Sequence, residues 1–186
     1  MNDRPTPPAG DEIVELRPHT PASLEPLLRW KNDTEIQQLS DDETHTYNRE
    51  QVAATLERWM QPGEDTVHLA IGLAGRAEPI GFLHLALIER DHRRCRLGIV
   101  IGEKDLWGHG YGHSAVVKAV DHAFDVLDLE RITAEVFADN TRSARLLKGA
   151  GFVHEGVMRE SIHRDGRRID ELIFGLLRHE WTRGRK

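Results

Sequence analysis

A strand that empties into alternate glycines and then into a helix is the feature that most constrains this chain. Leu97 to Gly102 is apolar or small throughout and reads as a strand. Trp107-Gly-His-Gly-Tyr-Gly-His113 follows, with glycine at every second position, and a strongly amphipathic segment begins at once. Glycine lets the main chain approach a ligand closely and adopt positive φ. The first-turn amides of a helix point outward, and the helix dipole favours negative charge there. The junction therefore suits a pyrophosphate. A flexible turn with a glycine-rich helix start is the alternative reading of the same residues.

Spacing narrows the type of phosphate site. A Walker loop ends in Gly-Lys-Ser/Thr, and that triplet does not occur. A dinucleotide fingerprint needs Gly-x-Gly-x-x-Gly after an early strand, with an acidic residue about 20 positions on. Gly108, Gly110 and Gly112 instead form Gly-x-Gly-x-Gly in mid-chain.

Trp107-Gly-His-Gly-Tyr-Gly-His-Ser-Ala115 resembles the acyl-CoA loop of the GNAT superfamily of N-acetyltransferases, whose pattern is Gln/Arg-x-x-Gly-x-Gly/Ala. Further on, Asp139-Asn-Thr-Arg-Ser143 and Leu146-Leu-Lys-Gly-Ala-Gly-Phe152 resemble that family's second signature. Gly156-Val-Met-Arg-Glu160, Asp165-Gly-Arg-Arg-Ile-Asp170 and Leu176-Leu177 are similar to the Rim-type branch, which acetylates ribosomal-protein N-termini. The resemblance runs from about Ile80 to Trp181. Trp107 departs from the usual Gln/Arg, but a backbone cradle does not depend on that side chain.

The 186 residues are enough for one domain with a real core, and a hydrophobic fraction of 39% argues against disorder. We expect residues 1–10, with three prolines, to be a loose arm, and residues 11–182 to form one acetyltransferase domain. No apolar run is long enough to span a bilayer and no signal-peptide pattern appears, so a cytoplasmic location is expected. Cys95 is the only cysteine, which rules out an intramolecular disulfide, and a packed thiol is the expected fate. A net charge of −6 argues against nonspecific nucleic-acid binding.

Strands are expected at Glu12–Arg17, Val67–Leu73, Pro79–Ile88, His92–Gly102, Ile132–Phe137, Phe152–His163 and Arg168–Leu177, the last two joined by an Asp165-Gly166 hairpin turn. Helices are expected at Pro21–Trp30, Thr34–Leu39, Glu50–Met60, Gly112–Leu127 and Thr141–Lys148, with Gly149 and Gly151 stopping the last. Val116, Val120, Ala123, Phe124 and Leu127 share one helix face, which should pack on the sheet. The fold class is α/β (α+β): a mixed, mostly antiparallel sheet of six to seven strands with helices on both faces. The resemblance adds a splay between two strands around the acyl-CoA site.

Acetyl transfer needs few parts: an amine that loses a proton, donors that polarise the thioester carbonyl, and an acid for the departing sulfur. The resemblance implies main-chain contacts from Ile99, Val100 and Ile101 to the pantetheine arm. It implies a diphosphate cradle from Gly108, His109, Gly110, Tyr111, Gly112 and His113. Asn140 reads as the cap of the helix at Thr141, and Ser143 as a polar first-turn residue. In the ribosomal-protein branch the matching residues line the thioester end. Many relatives place a tyrosine one turn later, where this chain has Leu147, so Ser143 is expected to serve the leaving thiolate. Arg142 and Arg145 are candidates for the ribose phosphate, with solvent exposure the alternative. Asp170 ranks first as general base, ahead of Glu103, His84 and Glu89, though each acid reads equally as a solvated surface group.

His109 and His113 straddle the glycine loop without a further ligand motif, so no metal is expected. Trp30 to Glu43 should cover the acceptor mouth by analogy with the family's first two helices. Asp33, Glu35, Asp41, Asp42 and Glu43 would give it an acidic rim that draws a cationic amine. Trp30, Asp33 and His84 are the substrate-side candidates, with Trp59 as a possible wall. The expected acceptor is a protein N-terminus. A polyamine is the alternative, since Leu87-Ile-Glu-Arg-Asp-His-Arg-Arg94 also looks like bacterial spermidine acetyltransferases, and an aminoglycoside is another. A noncatalytic acyl-CoA sensor is the reading of a different class. A homodimer is compatible with the apolar content.

Overall fold

The computed structural model describes residues 13–40 and 44–181. The expected arm over residues 1–10 lies outside the described residues, as do Asp41, Asp42 and Glu43 of the acidic rim. The elements run β1 (Val14–Arg17), α1 (Leu24–Lys31), α2 (Thr34–Ser40), α3 (Arg49–Met60), β2 (Val67–Leu73), β3 (Gly81–Glu89), β4 (Arg94–Ile101), α4 (Tyr111–Asp121), β5 (Arg131–Phe137), α5 (Thr141–Gly149), β6 (Val153–Arg164) and β7 (Arg167–Leu177). Seven strands form one sheet in the order β1-β2-β3-β4-β5-β7-β6. Every neighbouring pair is antiparallel except β4 with β5.

Alternation sorts the side chains into two layers. Leu83 and Leu85 of β3, Leu97 of β4, and Ile132 and Ala134 of β5 face one core, into which α4 presses Val116 and Val120 and the turn that continues it presses Ala123 and Phe124. Phe82 and Val100 face the other way, against Leu27, Trp30, Ile36, Val52 and Leu56 from α1 to α3. Truncating Phe124 to alanine in so dry a setting would cost about 3–5 kcal/mol. The expected apolar face of α4 is thus the one that packs. The helix starts one residue earlier than its glycines suggest, at Tyr111, and widens into a π-helical turn at His122–Val126. Leu127 N there reaches back to His122 O at 3.0 Å. The wider turn keeps both Ala123 and Phe124 in the core.

Local chemistry fixes several ends. α3 begins with a reciprocal capping box, in which Asn48 Oδ1 accepts from Gln51 N and Gln51 Oε1 accepts from Asn48 N, each at 2.9 Å. Asp33 caps α2, its Oδ1 accepting from Glu35 N and Ile36 N. α5 runs through Gly149, so that residue does not stop it. The stop is Gly151 at φ 94°, where Gly151 N donates to Lys148 O and Phe152 N to Leu147 O. Asp165 and Gly166, at φ 50° and 74°, make the tight turn between β6 and β7. No helix among the described residues is long and apolar enough to cross a membrane.

Candidate functional site

The parallel ladder between β4 and β5 has only three registered pairs: Arg94 with Arg131, Cys95 with Ile132, and Arg96 with Thr133. From Leu97 onward β4 keeps its pairing with β3 but loses β5, so the two strands part. This is the splay the sequence led us to expect.

Alternation of the backbone groups determines what lines the gap. Gly102 N donates to Ile80 O at 2.9 Å, so even-numbered residues of β4 turn their main chain to β3. Arg93 O instead accepts from Arg131 N and Cys95 O from Thr133 Oγ1, both on the β5 side. Leu97, Ile99 and Ile101 therefore turn their N–H and C=O groups into the gap, while those of Val100 belong to the β3 ladder. Of the three residues expected along the pantetheine arm, Val100 has its peptide groups in the β3 ladder.

Glycine governs the end of the gap. Gly108 and Gly110 stand at φ 82° and 85°, a region that strains other residues. Gly110 is the N-cap of α4, and the first intrahelical bond is Ser114 N to Gly110 O at 3.0 Å. The amides of Tyr111, Gly112 and His113 precede that bond and point out of the helix start. Gly112 brings α4 close to α5: a Cβ there would come within 2.7 Å of Leu146 Cδ1, which would have to shift. His109 lies exposed with its ring 6.5 Å from that of Tyr111.

Two side chains near the glycine loop have partners within the fold. His113 Nε2 lies 3.3 Å from Gly149 O, which ties α4 to the end of α5, so only the His113 amide is left for an anion. Arg142 places its guanidinium 4.0 Å above the Trp107 ring. Trp107 Nε1 in turn donates to Ile101 O at 2.7 Å. Trp107 thus joins the end of β4 to the first turn of α5. Arg145 is exposed on α5.

Asn140 caps α5, as its sequence position indicated: Oδ1 accepts from Ser143 N at 3.0 Å. Its Nδ2 also donates to Leu39 O at 3.1 Å, so both ends of the amide are used. Ser143 is half-buried in the first turn of α5. Asp170 lies across from the β5–α5 turn, its carbonyl accepting from Ala138 N at 2.9 Å. Its Oδ1 accepts from Glu160 N at 2.8 Å, holding an irregular stretch of β6 where Glu160 has φ 52°. Beside it, Arg164 is 8% exposed and its guanidinium binds Asp139 Oδ2 at 3.0 Å, Gln38 O, and the face of Phe137. No sequence pattern marked Arg164, because its partners lie 25 and 126 residues away. Gln38, Asp139, Arg164 and Asp170 line one open groove.

The acidic rim is partly neutralised where it is described. Lys104 Nζ lies 2.7 Å from Asp33 Oδ2 and 3.3 Å from Glu35 Oε2. That hydrogen bond from Lys104 is the main reason the Asp33 carboxyl is held below its ordinary range. One Asp33 oxygen caps α2 and the other lies on Lys104. Glu103 accepts from Arg29 at 3.0 Å and from Trp30 Nε1 at 3.2 Å. Trp30 is 3% exposed and lies flat on Gly102, where a Cβ would fall 2.1 Å from the indole. Among the described residues no cluster of His, Cys, Asp and Glu could hold a metal ion.

His84 sits on β3 opposite Gly98, its ring 6.0 Å from that of His68, which stacks on Trp59 at 4.9 Å. His19, near Trp59, is buried and bonds Ser23 Oγ through Nδ1 at 3.1 Å. Burial first, and the neighbouring His68 second, push both His19 and His84 down to about 4; Arg96 adds to the effect at His84. Cys95 is 2% exposed and burial pushes its thiol up to about 12, so it is a packed, unreactive group.

A splayed parallel pair beneath a glycine-capped helix is the architecture of an acyl-CoA-binding acetyltransferase domain. Residues 14–153 match the acetyltransferase (GNAT) domain family, and this chain belongs to it. The uncharacterized N-acetyltransferase p20 of Bacillus licheniformis is 36% identical over 105 residues, which cover 56% of this chain and 58% of that protein. Spermidine N(1)-acetyltransferase of Vibrio cholerae is 31% identical over 91 residues, covering 49% and 52%. The match therefore spans little more than half the length of these relatives. The crystal structure of spermidine N-acetyltransferase from Vibrio cholerae in complex with CoA and spermine superposes with a TM-score of 0.81. It covers 90% of this chain and 96% of that one at 22% identity, a likeness of fold.

Proposed function

We propose that this protein transfers an acetyl group from acetyl-CoA to a primary amine by direct attack in a ternary complex. The observation that carries the proposal is the parting of β4 from β5 directly below the glycine loop. It leaves the peptide group of Ile99 and the N–H of Ile101 facing a gap that ends at the amides of Tyr111, Gly112 and His113, the Ile101 carbonyl being held by Trp107. Those amides suit a diphosphate, and the two β4 residues suit an amide-bearing arm laid beside a strand.

Within this reading the chain's own groups have distinct tasks. A main-chain N–H in the cleft polarises the thioester carbonyl. Ser143, in the first turn of α5, donates its hydroxyl hydrogen toward the sulfur as the C–S bond breaks. Asp170, across from the same turn, takes a proton from the amine. Asn140 acts through its cap, which fixes the start of α5.

The acceptor we assign is a protein N-terminus. Asp33, Glu35 and Glu103 share Lys104 and Arg29, which leaves one net negative charge, less than a multiply charged polyamine would need. A singly charged α-amine needs less. The similarity to a spermidine acetyltransferase keeps polyamines as the second reading. Association into a homodimer is part of the proposal, since β6 presents Val153, Val157 and Met158 on an exposed sheet edge. Thiol release from acetyl-CoA, measured across N-terminal peptides, polyamines and aminoglycosides, tests the assignment. Turnover restricted to peptides supports it. Preference for spermidine overturns the acceptor, and CoA binding without turnover on any amine would leave a sensor domain.

A further inference from the structure

The imidazole of His84 lies over the place where β4 and β5 separate. His84 is the registered partner of Gly98, and a Cβ on Gly98 would fall 2.3 Å from His84 Nε2 and 2.4 Å from Cε1. The ring therefore rests on the bare backbone of β4, in space that any other residue at 98 would fill. The last β4–β5 pair is Arg96 with Thr133, so Gly98 is two residues beyond the closed end of the gap. Gly98 shares the sheet face of Val100, the face covered by α1 to α3, whereas Ile99 and Ile101 pack toward α4. A cosubstrate held by its diphosphate at the open, glycine end and laid along β4 brings its far end toward this point. The imidazole overhangs it from the acceptor side.

The surroundings keep the ring in place and uncharged. His68 stands behind it, 6.0 Å away and stacked on Trp59 of α3, with His19 beyond against the same indole. The cations on neighbouring elements include Lys31 of α1, 6.0 Å from the Trp59 ring, Arg58 of α3, beside His68, and Arg96 of β4. Arg96 is paired with Glu135 of β5 at 2.9 Å. Burial, His68 and Arg96 all oppose a proton on His84, so one ring nitrogen offers a lone pair at neutral pH.

We propose that His84 is the residue that positions the attacking amine: its unprotonated ring nitrogen accepts an N–H from the uncharged acceptor and aims the nitrogen lone pair at the thioester carbonyl. No proton need be transferred to the ring; the amine's proton leaves by the base assigned above. This deepens the acetyl-transfer reading and rests on it.

The test uses the full chain with wild type, His84→Phe, His84→Gln and Gly98→Ala. Measurements are CoA affinity by calorimetry, thermal midpoint, and kcat and KM for an N-terminal peptide from pH 6 to 9. His84→Phe keeps the bulk but removes the acceptor, and kcat/KM should fall about a hundredfold, as for a misplaced reactant, with CoA affinity unchanged. His84→Gln retains an acceptor oxygen and should recover at least tenfold of that loss. Gly98→Ala keeps the imidazole but displaces it, and should resemble His84→Phe. Wild type and His84→Gln should show activity rising along the amine's own titration, with no limb near the ordinary imidazole range. The assignment is overturned if His84→Phe stays within threefold of wild type, or if His84→Gln is no better than His84→Phe while both bind CoA and melt normally. A folded wild type that binds CoA and acetylates no amine would instead remove the transferase reading, and this role with it.

Discussion

Asn140→Ala should cost more than an ordinary helix cap, because the side chain closes two accounts at once. Oδ1 caps α5 through Ser143 N, and Nδ2 satisfies the carbonyl of Leu39 at the end of α2. Loss of an asparagine cap costs about 1 kcal/mol. A half-buried carbonyl deprived of its donor costs about 1 kcal/mol more. The sum, about 2 kcal/mol, corresponds to a fall in melting temperature of roughly 4–8 °C for a chain of this size. Asn140→Ser keeps the cap but cannot reach Leu39, so it should lose about half as much. Equilibrium urea unfolding followed by tryptophan emission gives both numbers. The reasoning fails if the alanine variant is destabilised by less than about 0.5 kcal/mol, or if serine is no better than alanine. Calorimetry with CoA on the serine variant adds a functional reading: if Asn140 acts through the cap, affinity stays at the wild-type value.

Acidification should weaken the fold through His19 and His84. Their folded-state values of about 4 lie below the ordinary 6.5, so the unfolded chain binds more protons between those limits. The stabilisation is complete above pH 6.5, declines as pH falls toward 4, and amounts to about 3 kcal/mol for buried His19 alone; His19→Phe should flatten urea midpoints measured across that range. Gly110→Val forces a branched side chain to φ 85° at the cap of α4, and should weaken CoA binding at least tenfold while leaving the sheet core intact by circular dichroism. Asp170→Asn preserves the acceptor for Glu160 N and removes only the charge, so a drop in kcat with unaltered melting supports the base, whereas an unchanged pH–rate profile eliminates it.

What the sequence disclosed was mostly local. The Asn140 cap, the Asp165-Gly166 turn and the glycine start of α4 each depend on residues within a few positions of one another, so their chemistry is written in order along the chain. The packed face of α4 was equally plain from its period, although the π turn at its end was not, because it answers to the shape of the core. Relations across the fold were silent. Arg164 finds Gln38 and Asp139, Lys104 finds Asp33, and Arg142 finds Trp107 only after the sheet has assembled. That is why the acidic rim looked available from composition and is partly spoken for in space. Gly98 shows the same limit in miniature: within a strand it reads as a weak β-former, and its purpose appears only when His84 is laid on it.

The end of α2 is fastened from two sides, by Asn140 through Leu39 and by Arg164 through Gln38. The start of α5 and the tip of the β6–β7 hairpin therefore share a single anchor. A molecule that tightens either one stiffens the other, and thermodynamic reciprocity requires the benefit to run both ways. Loosening either tether would therefore be felt at the other through the last turn of α2.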